Sequence, residues 1–461
     1  MNHHGISSDE TGTASIVADL TERGVDIVRL VYADLHGIAR SKDIPVSEFE
    51  RGSRAGFAFC QGVFLVSLRA EVLDGPGGPA EGLPDLHAQI VPGSLVRVIP
   101  WEPGVALALA DTTLATGGAT AVGPRNVLAR VVERFAALGL SPTVGPELEF
   151  YLCRRDEHGR LTRAINRPAA VYTNGPSADP GGVVLQMMRQ LAALDLGVFA
   201  ANHEFSPAQY EINIWHSDAL DAADRCFLLK SSIKDIAAQA GLHATFMGKP
   251  FNDEGGSGFH IHVSLDRSAQ SDGPTTNAFD DPDGPDGLSA TMRHFLGGVL
   301  AHAAGLTAIL NPTVNSYKRI QPDSLAPCRA NWGLDNRTTL VRVPPDRGAG
   351  TRLEIRSGDG AGNPYLAIAA VLAAGLDGIE HETPPPAGLE GWTYALPDDE
   401  AGAALPASLD AALDALDADQ VLRALLGGDF VDLFLTLKRD ECARYARHVT
   451  DWELDEYAEH L

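Results

Sequence analysis

The clearest alternation in the chain runs through Phe259-His260-Ile261-His262-Val263-Ser264, directly after Gly255-Gly256-Ser257-Gly258. Phe259, Ile261 and Val263 take one parity; His260, His262 and Ser264 take the other. A period of two predicts a strand with one apolar and one polar face. Residues 143–152 predict a second strand, on which Glu147 and Glu149 stand two apart and face the same way. Residues 202–214 read strand–turn–strand around Ser206-Pro207 and carry Glu204 and Glu211. Arg352-Leu353-Glu354-Ile355-Arg356 alternates again, with charge on one parity.

Upstream, a helix is expected over 14–23. Strands at 25–32 and 39–44, joined by Asp34-Leu35-His36-Gly37, form a hairpin. A short helix follows at 46–54. The apolar, glycine-punctuated residues 56–68 predict a loop that folds against a partner. Residues 73–85, rich in Gly and Pro, read as a surface loop, followed by strands at 96–99 and 105–110. Small residues over 112–123 mark a boundary before Pro124 and a helix at 125–139. Helices are expected at 180–195, 217–241, 288–310 and 361–378. The tail, 406–461, is helical, with Trp452 packing it down. Residues 1–12 read as a mobile polar start, 266–287 as an exposed loop and 311–360 as loop and strand.

Composition narrows the functional classes. A chain of 461 residues holds two or three domains and a sizeable core. The net charge of −25 argues against nucleic acid or an anionic membrane as the main partner. Five scattered cysteines, with no CxxC pair, point to reduced thiols and a cytoplasmic protein. No apolar run is long enough for a spanning helix, and no signal-peptide pattern opens the chain.

The acids supply the candidate chemistry. Two carboxylates on one strand face repel each other, and a divalent cation removes that cost. Glu147, Glu149, Glu204, Glu211 and Glu354, with His260, are enough ligands for two hard divalent ions. Oxygen-rich ligation favours Mg²⁺ or Mn²⁺ over zinc. Arg319, Arg337, Arg342, Arg352 and Arg356 follow downstream, as phosphoryl transfer requires. A set of surface ion pairs is the alternative.

Five blocks, in order, resemble the glutamine synthetase superfamily in its bacterial class I form. They are Gly145-Pro146-Glu147-Leu148-Glu149-Phe150; His203-Glu204 with Pro207, Gln209 and Glu211; Lys249-Pro250 through Ser264; Asn311-Pro312-Thr313-Val314-Asn315-Ser316-Tyr317-Lys318-Arg319; and Arg352 to Arg356 followed by Asn363-Pro364-Tyr365-Leu366. The resemblance implies an α+β fold: an N-terminal β-grasp domain over 14–111, then a catalytic domain over 120–461 with a curved antiparallel sheet and flanking helices. It implies stacked rings, usually two hexamers, with active sites between subunits. It implies ATP as co-substrate, glutamate as acceptor and two or three Mg²⁺ or Mn²⁺ per subunit. Glu149, Glu204 and Glu211 would hold one metal, and Glu147, His260 and Glu354 the other. His262, Ser264, Arg342 and Arg352 would lie along the nucleotide. Gly256, Arg319, Arg356 and Glu149 would hold glutamate. Arg337, Arg319 and Glu211 would be the catalytic side chains, with Arg337 on the transferring phosphoryl group.

The nitrogen side departs from the family pattern. Ammonium-using members carry Gly-Tyr-Glu-Ala-Pro after the Tyr-Lys-Arg, where this chain has Pro322-Asp323-Ser324-Leu325-Ala326-Pro327. They also carry an aspartate in an N-terminal Phe-Asp-Gly-Ser-Ser loop, where this chain reads Phe57-Ala58-Phe59-Cys60-Gln61-Gly62-Val63-Phe64. A pocket of Phe59, Cys60 and Leu325 would accommodate carbon instead of attracting NH₄⁺. The resulting expectation is a γ-glutamyl amide made from an organic amine, a monoamine such as ethanolamine or a polyamine. The rival expectations are ammonium use, with Asp323 as substitute acid, and a silent scaffold or sensor. Gly255 stands where an asparagine usually helps hold glutamate. Tyr394 stands where some members are adenylylated, in flanking residues that differ.

Overall fold

A computed structural model describes residues 10–91, 96–166, 171–267 and 276–461. The expected polar start therefore lies outside the described residues up to residue 9, as does part of the 266–287 loop. The first sheet holds six strands: β1 (Ile27–Ala33), β2 (Ala39–Pro45), β3 (Phe57–Cys60), β4 (Asp85–Ile90), β5 (Arg97–Val98) and β6 (Val105–Leu114). Their order is β2-β1-β6-β4-β3, with β5 also on β6. The β1–β2 hairpin is antiparallel and β1–β6 is parallel. Helices α1 (Glu10–Glu22) and α2 (Phe49–Ala55) accompany this sheet. The hairpin turn is locked from inside. Buried Asp34 accepts from the backbone N–H groups of His36 and Ile38, both at 2.9 Å, and Gly37 takes φ +73°.

The second sheet has eleven strands: β7 (Leu140–Arg155), β8 (Leu161–Arg163), β9 (Val198–His203), β10 (Gln209–Ile214), β11 (Ser217–Asp218), β12 (His243–Thr245), β13 (Phe259–Arg267), β14 (Thr276–Asn277), β16 (Trp332–Leu334), β17 (Val341–Val343) and β18 (Leu353–Ile355). A separate pair joins β15 (Arg329–Ala330) to β19 (Ala403–Ala404). The main path of the eleven-stranded sheet is β16-β17-β18-β13-β7-β10-β9, so β7 is central. The sheet is mixed and not purely antiparallel, because β16 and β17 run parallel. Along β7, Val144, Leu148 and Phe150 are buried, and Glu147 and Glu149 occupy the other face.

Helices α3 (Pro124–Ala137), α4 (Val183–Ala193), α5 (Ala219–Gln239), α6 (Ala290–Ala301), α7 (Ala303–Leu310) and α8 (Pro364–Glu380) pack behind the sheets, and α9 (Leu409–Ala418), α10 (Gln420–Leu426), α11 (Gly428–Ala446) and α12 (Asp451–Tyr457) close the chain. Every residue of α8 from Tyr365 to Leu376 is buried, so this helix is apolar all round because it is central. Its small residues let α6 touch it backbone to backbone. A Cβ on Gly298 would lie 2.2 Å from the Ala374 carbonyl oxygen, and one on Gly378 2.1 Å from that of His294. Arg125 links the layers, meeting Asp111 at the end of β6 at 3.0 Å and Asp224 of α5 at 2.9 Å. Asp224 also accepts from the Tyr365 hydroxyl at 2.8 Å.

Three expectations change. Residues 56–68 are not a loop awaiting a partner. Phe57–Cys60 add an edge strand to β4, and Phe64 and Leu65 are buried in their own chain. The helix expected over 288–310 breaks at His302, whose ring bridges Asp377 at 3.0 Å and Asp419 at 2.7 Å. Trp452 does not pack the tail down. It is 62% exposed, on a short helix held by a Thr450–Glu453 capping box. None of the described helices is long and apolar enough to cross a membrane.

Two stability predictions follow from these buried charges. Arg125→Met leaves Asp224 buried without its cation and should destabilise the fold by roughly 3 kcal/mol in a denaturant titration. At His302, burial acts to lower the pKa, but the hydrogen bonds to Asp419 and Asp377 outweigh it and the pKa is raised. The stabilisation is therefore full below the unfolded value of about 6.5 and is lost as pH rises through the folded one. In thermal melts, the gap between wild type and His302→Gln should shrink as pH rises from about 6 to about 9.

Candidate active site

The ladder register gathers the acids. Glu147 on β7 lies opposite His260 of β13 and Asn213 of β10, and Glu149 lies opposite Glu211. Glu354 on β18 pairs with His262 on one side and Arg342 on the other. One polar sheet face thus runs from Arg342 across Glu354, the histidines and Glu147 to Glu211.

Each carboxylate meets a different environment. Glu147 reaches His262 Nε2 at 2.9 Å and His260 Nδ1 at 3.5 Å. Burial acts to raise its pKa, but the hydrogen bonds from both histidines hold it well below the ordinary carboxylate range. Glu354 is 1% exposed and meets Arg342 at 2.5 Å and Arg356 more closely still. Burial opposes its ionisation, yet Arg356, His260 and His262 bring it down to about 2. Glu149 accepts from Gln209 Nε2 at 3.0 Å and from the Gly258 N–H at 2.8 Å. Among the described residues, Glu204 and Glu211 have only neutral donors, Asn202 at 2.6 Å and Asn213 at 3.0 Å. Burial, followed by the charge of Glu149, pushes Glu204 up to about 7, with Arg337 pulling the other way. Burial and the charges of Glu147, Glu149 and Glu204 push Glu211 well above its usual value.

Among the described residues, two groups of donor atoms converge closely enough for a cation: Glu147, His260 and Glu354; and Glu149, Glu211 and His260. His260 belongs to both, and Glu204 to neither. His262 does not join them, because its Nε2 is on Glu147 and its Nδ1 receives Arg352 Nε at 3.2 Å. The shared strand face expected for the two histidines holds, with separate tasks.

The positive side chains lie around this face. Arg319 is buried, donates to the Ser357 carbonyl at 3.1 Å and feels the charge of Glu149. Arg356 donates to the Arg337 carbonyl at 3.1 Å, and the Arg337 side chain is exposed. Gly256 lies against Arg319, where a Cβ would come within 2.6 Å of its Cγ. His262, Ser264 and Arg352 line a cavity of about 300 Å³ next to Glu147, whose rim carries Phe199 and Trp215. Those two rings are half exposed and stacked, with centroids 4.4 Å apart. A larger cavity of about 580 Å³, beside Tyr317 and Cys442, contains none of these residues. Size is therefore a poor guide here.

The amine-pocket residues are not joined by any hydrogen bond or ring contact among the described residues. Phe59 packs edge-on against Tyr32 at 5.0 Å and Cys60 is exposed on β3. Leu325 lies after Arg319 with φ +56°. The Asp323 carboxylate accepts from Trp392 Nε1 at 2.9 Å. Tyr394 has a buried hydroxyl without a partner among the described residues, and burial pushes it up to about 12. Gly255 is held by Ser206 Oγ at 2.7 Å and the Tyr151 hydroxyl at 2.6 Å.

Sequence reasoning missed the supports. Asn202 and Asn213 stand two residues from Glu204 and Glu211, and strand periodicity alone would have put them on the same face. The Phe199–Trp215 stack and the Tyr151–Gln209 prop had no such signal, because both depend on strand pairing.

A curved sheet that presents clustered carboxylates beside arginines and an aromatic-rimmed cavity defines an enzyme of phosphate or acyl chemistry. Comparison with known proteins specifies the class. Residues 121–457 match the family described as glutamine synthetase, catalytic domain. A glutamine synthetase of Halobacterium salinarum is 35% identical over 458 residues, covering 96% of each chain. One of Thermus thermophilus is 36% identical, covering 96% of this chain and 98% of that one. Among solved structures, a GmaS–ADP complex aligns with a TM-score of 0.84 at 34% identity, covering 96% of this chain and 99% of that one. The chain belongs to the glutamine synthetase family and is an ATP-dependent ligase with that family's fold.

Gly258 gives the site a direct test. A Cβ there would lie 2.8 Å from His260 Nε2, 3.0 Å from Glu149 Oε1 and 3.1 Å from Arg319 Nη2. Gly258→Ala should lower ATP-dependent phosphate release by roughly a hundredfold, since small displacements of reacting groups are costly. Thermal melting should move far less.

Proposed function

We propose that the chain joins glutamate to an organic amine through γ-glutamyl phosphate, making a γ-glutamyl amide, ADP and phosphate. The carrying observation is the nitrogen side. Leu325 stands where an acid would attract ammonium, and the acid beside it, Asp323, is already hydrogen-bonded to Trp392. Residues 57–64 around the half-buried Phe59 contain no carboxylate, although Asp85 of β4 stands opposite Cys60. The structural similarity to GmaS, a gamma-glutamylmethylamide synthetase, supports the same reading.

The donor set fits hard divalent cations. Glu147, Glu149, Glu211 and Glu354 converge with His260 on one face, Glu204 feels the charge of Glu149, and Glu204 and Glu211 lack any cationic hydrogen-bond partner among the described residues. Glu147, His260 and Glu354 would hold one Mg²⁺ or Mn²⁺, and Glu149, Glu204 and Glu211 another. Such ions supply neutralisation of phosphate charge. Around them, Arg342, Arg352, His262 and Ser264 bind the nucleotide, with Phe199 and Trp215 offering a flat apolar rim. Arg319, Arg356, Gly256 and Glu149 orient glutamate. Its γ-carboxylate oxygen attacks the terminal phosphorus of ATP and ADP leaves; Arg337 offsets the charge on the transferred group. The amine nitrogen then attacks the acyl carbon, phosphate departs, and the nitrogen gives up a proton. A site shared between subunits of a ring would unite Phe59 and Cys60 with a neighbour's flap.

Ammonium use is the second reading, favoured by the naming of the relatives as glutamine synthetases. Phosphate release across ammonium, methylamine, ethanolamine, putrescine and spermine decides between them. An organic amine should exceed ammonium in kcat/KM by roughly a hundredfold, and Leu325→Glu should narrow that gap. Best turnover with ammonium would sink the proposal.

A further inference from the structure

Although the chain carries a net charge of −25, one cavity of about 320 Å³ is lined by lysines and histidines and by no acid. It lies between the Leu35–Ile38 turn, α5, the residues following β12, and α11. Lys230, Lys234 and Lys438 face it, with His36 and His243. Lys230 and Lys438 are 6% and 2% exposed, and Lys234 stands at the open mouth.

The three ammonium groups are under-used. Each has three N–H donors. Lys230 donates once, to the Gly362 carbonyl at 3.0 Å. Lys438 has two long contacts, each 3.4 Å, to His36 Nδ1 and Glu441. Lys234 makes no hydrogen bond among the described residues. Lys230 and Lys234 each lie 5.6 Å from the centroid of the Phe246 ring. His36 adds no charge. Its Nε2 donates to the Val66 carbonyl at 3.1 Å, which leaves Nδ1 to accept from Lys438. Burial and Lys438 hold the imidazole down at about 3, and burial with Lys234 brings Lys230 down to about 7.

Glu441 meets Lys438 at 3.4 Å, and no other acid contacts these lysines among the described residues. Asp34, Asp235 and Asp359 act on these lysines at a distance. Asp34 is held by Arg40 and two backbone N–H groups, and Asp359 accepts from the Ala361 N–H. Lys230, buried with one carbonyl acceptor and no carboxylate in contact, is costly to keep charged unless something negative meets it. The remaining wall is apolar, with Phe246, Ile309, Leu366 and Phe434.

We propose that this cavity binds a small organic anion, its carboxylate or phosphate group held by Lys230, Lys234 and Lys438 and its apolar body lying on Phe246 and Phe434. None of the residues proposed for metal, nucleotide or glutamate lines it, so the inference does not rest on the ligase reading. An occupant would touch Phe246 and Met247, where the segment that reaches Gly258 begins.

The test uses the full chain and its Lys230→Met and Lys234→Met variants. Crystals soaked in selenate should show anomalous selenium density beside the Lys230 and Lys234 ammoniums. Titration calorimetry with inorganic phosphate and with glutarate should reveal a class of sites weakened at least about tenfold in Lys234→Met, while ATP-dependent turnover is unchanged. The anion whose sites are weakened identifies the group recognised. Lys234 is exposed, so this variant keeps the test open if Lys230→Met fails to fold. Selenate density confined to the carboxylate-lined site, or equal binding of both anions by wild type and Lys234→Met, would overturn the proposal.

Discussion

Crowded carboxylates on one sheet face are the constraint on which the site depends. The period-two geometry of β7 forces Glu147 and Glu149 to the same side, and pairing with β10, and with β18 through β13, brings Glu211 and Glu354 towards them. Water is largely excluded, so each negative charge needs an answer. The protein answers three. Glu147 has two imidazoles, Glu354 has two guanidiniums, and Glu149 has an amide and a backbone N–H. Among the described residues, Glu204 and Glu211 receive only neutral amides, which orient a carboxylate without cancelling its charge. Burial and mutual repulsion oppose ionisation at that end of the face, and a bound cation would relieve both, which is the physical basis for reading the site as one that takes cations.

The same crowding shapes the backbone around it. Gly256 and Gly258 are required by lack of space, since the loop passes against Arg319, His260 and Glu149. Tyr151 and Gln209 then hold that loop to β7 and β10 through the Gly255 and Gly256 carbonyls. Behind the sheet the charge problem is reversed. Lys230 and Lys234 of α5 meet a carbonyl group and a ring, and Lys438 of α11 meets His36 and Glu441 at 3.4 Å, so the chain sets a lysine-lined cavity against the carboxylate-lined face, joined by the segment from Phe246 to Gly258.

The fold was legible where a periodicity was long and clean. The β1–β2 hairpin, β7, the β9–β10 pair, β13 and the alanine-rich α8 all lie where alternation or helical pattern put them. Errors fell where tertiary contacts overrode the local pattern. His302 interrupts an apolar helix because two aspartates from distant helices hold its ring. Residues 57–60 join a sheet edge that only β4 provides. Trp452 belongs to a terminal helix, where it meets the Tyr457 ring edge-on at 5.8 Å and stays 62% exposed. The parallel β16–β17 pair had no local signal, since strand direction is set by the connection and not by the strand.

By itself the sequence determined the inventory: which strands carry carboxylates and histidines, which parity each takes, and, through its ordered blocks, the family. Those properties are local, because alternation and residue type need no knowledge of neighbours. Only the tertiary structure decided which acid faces which base. Glu147 between two histidines, Glu354 between two arginines, Asp323 captured by Trp392 and three lysines around one cavity all follow from register and packing between distant segments. Charge compensation falls steeply with distance in a low-dielectric interior, so it cannot be read until those distances exist.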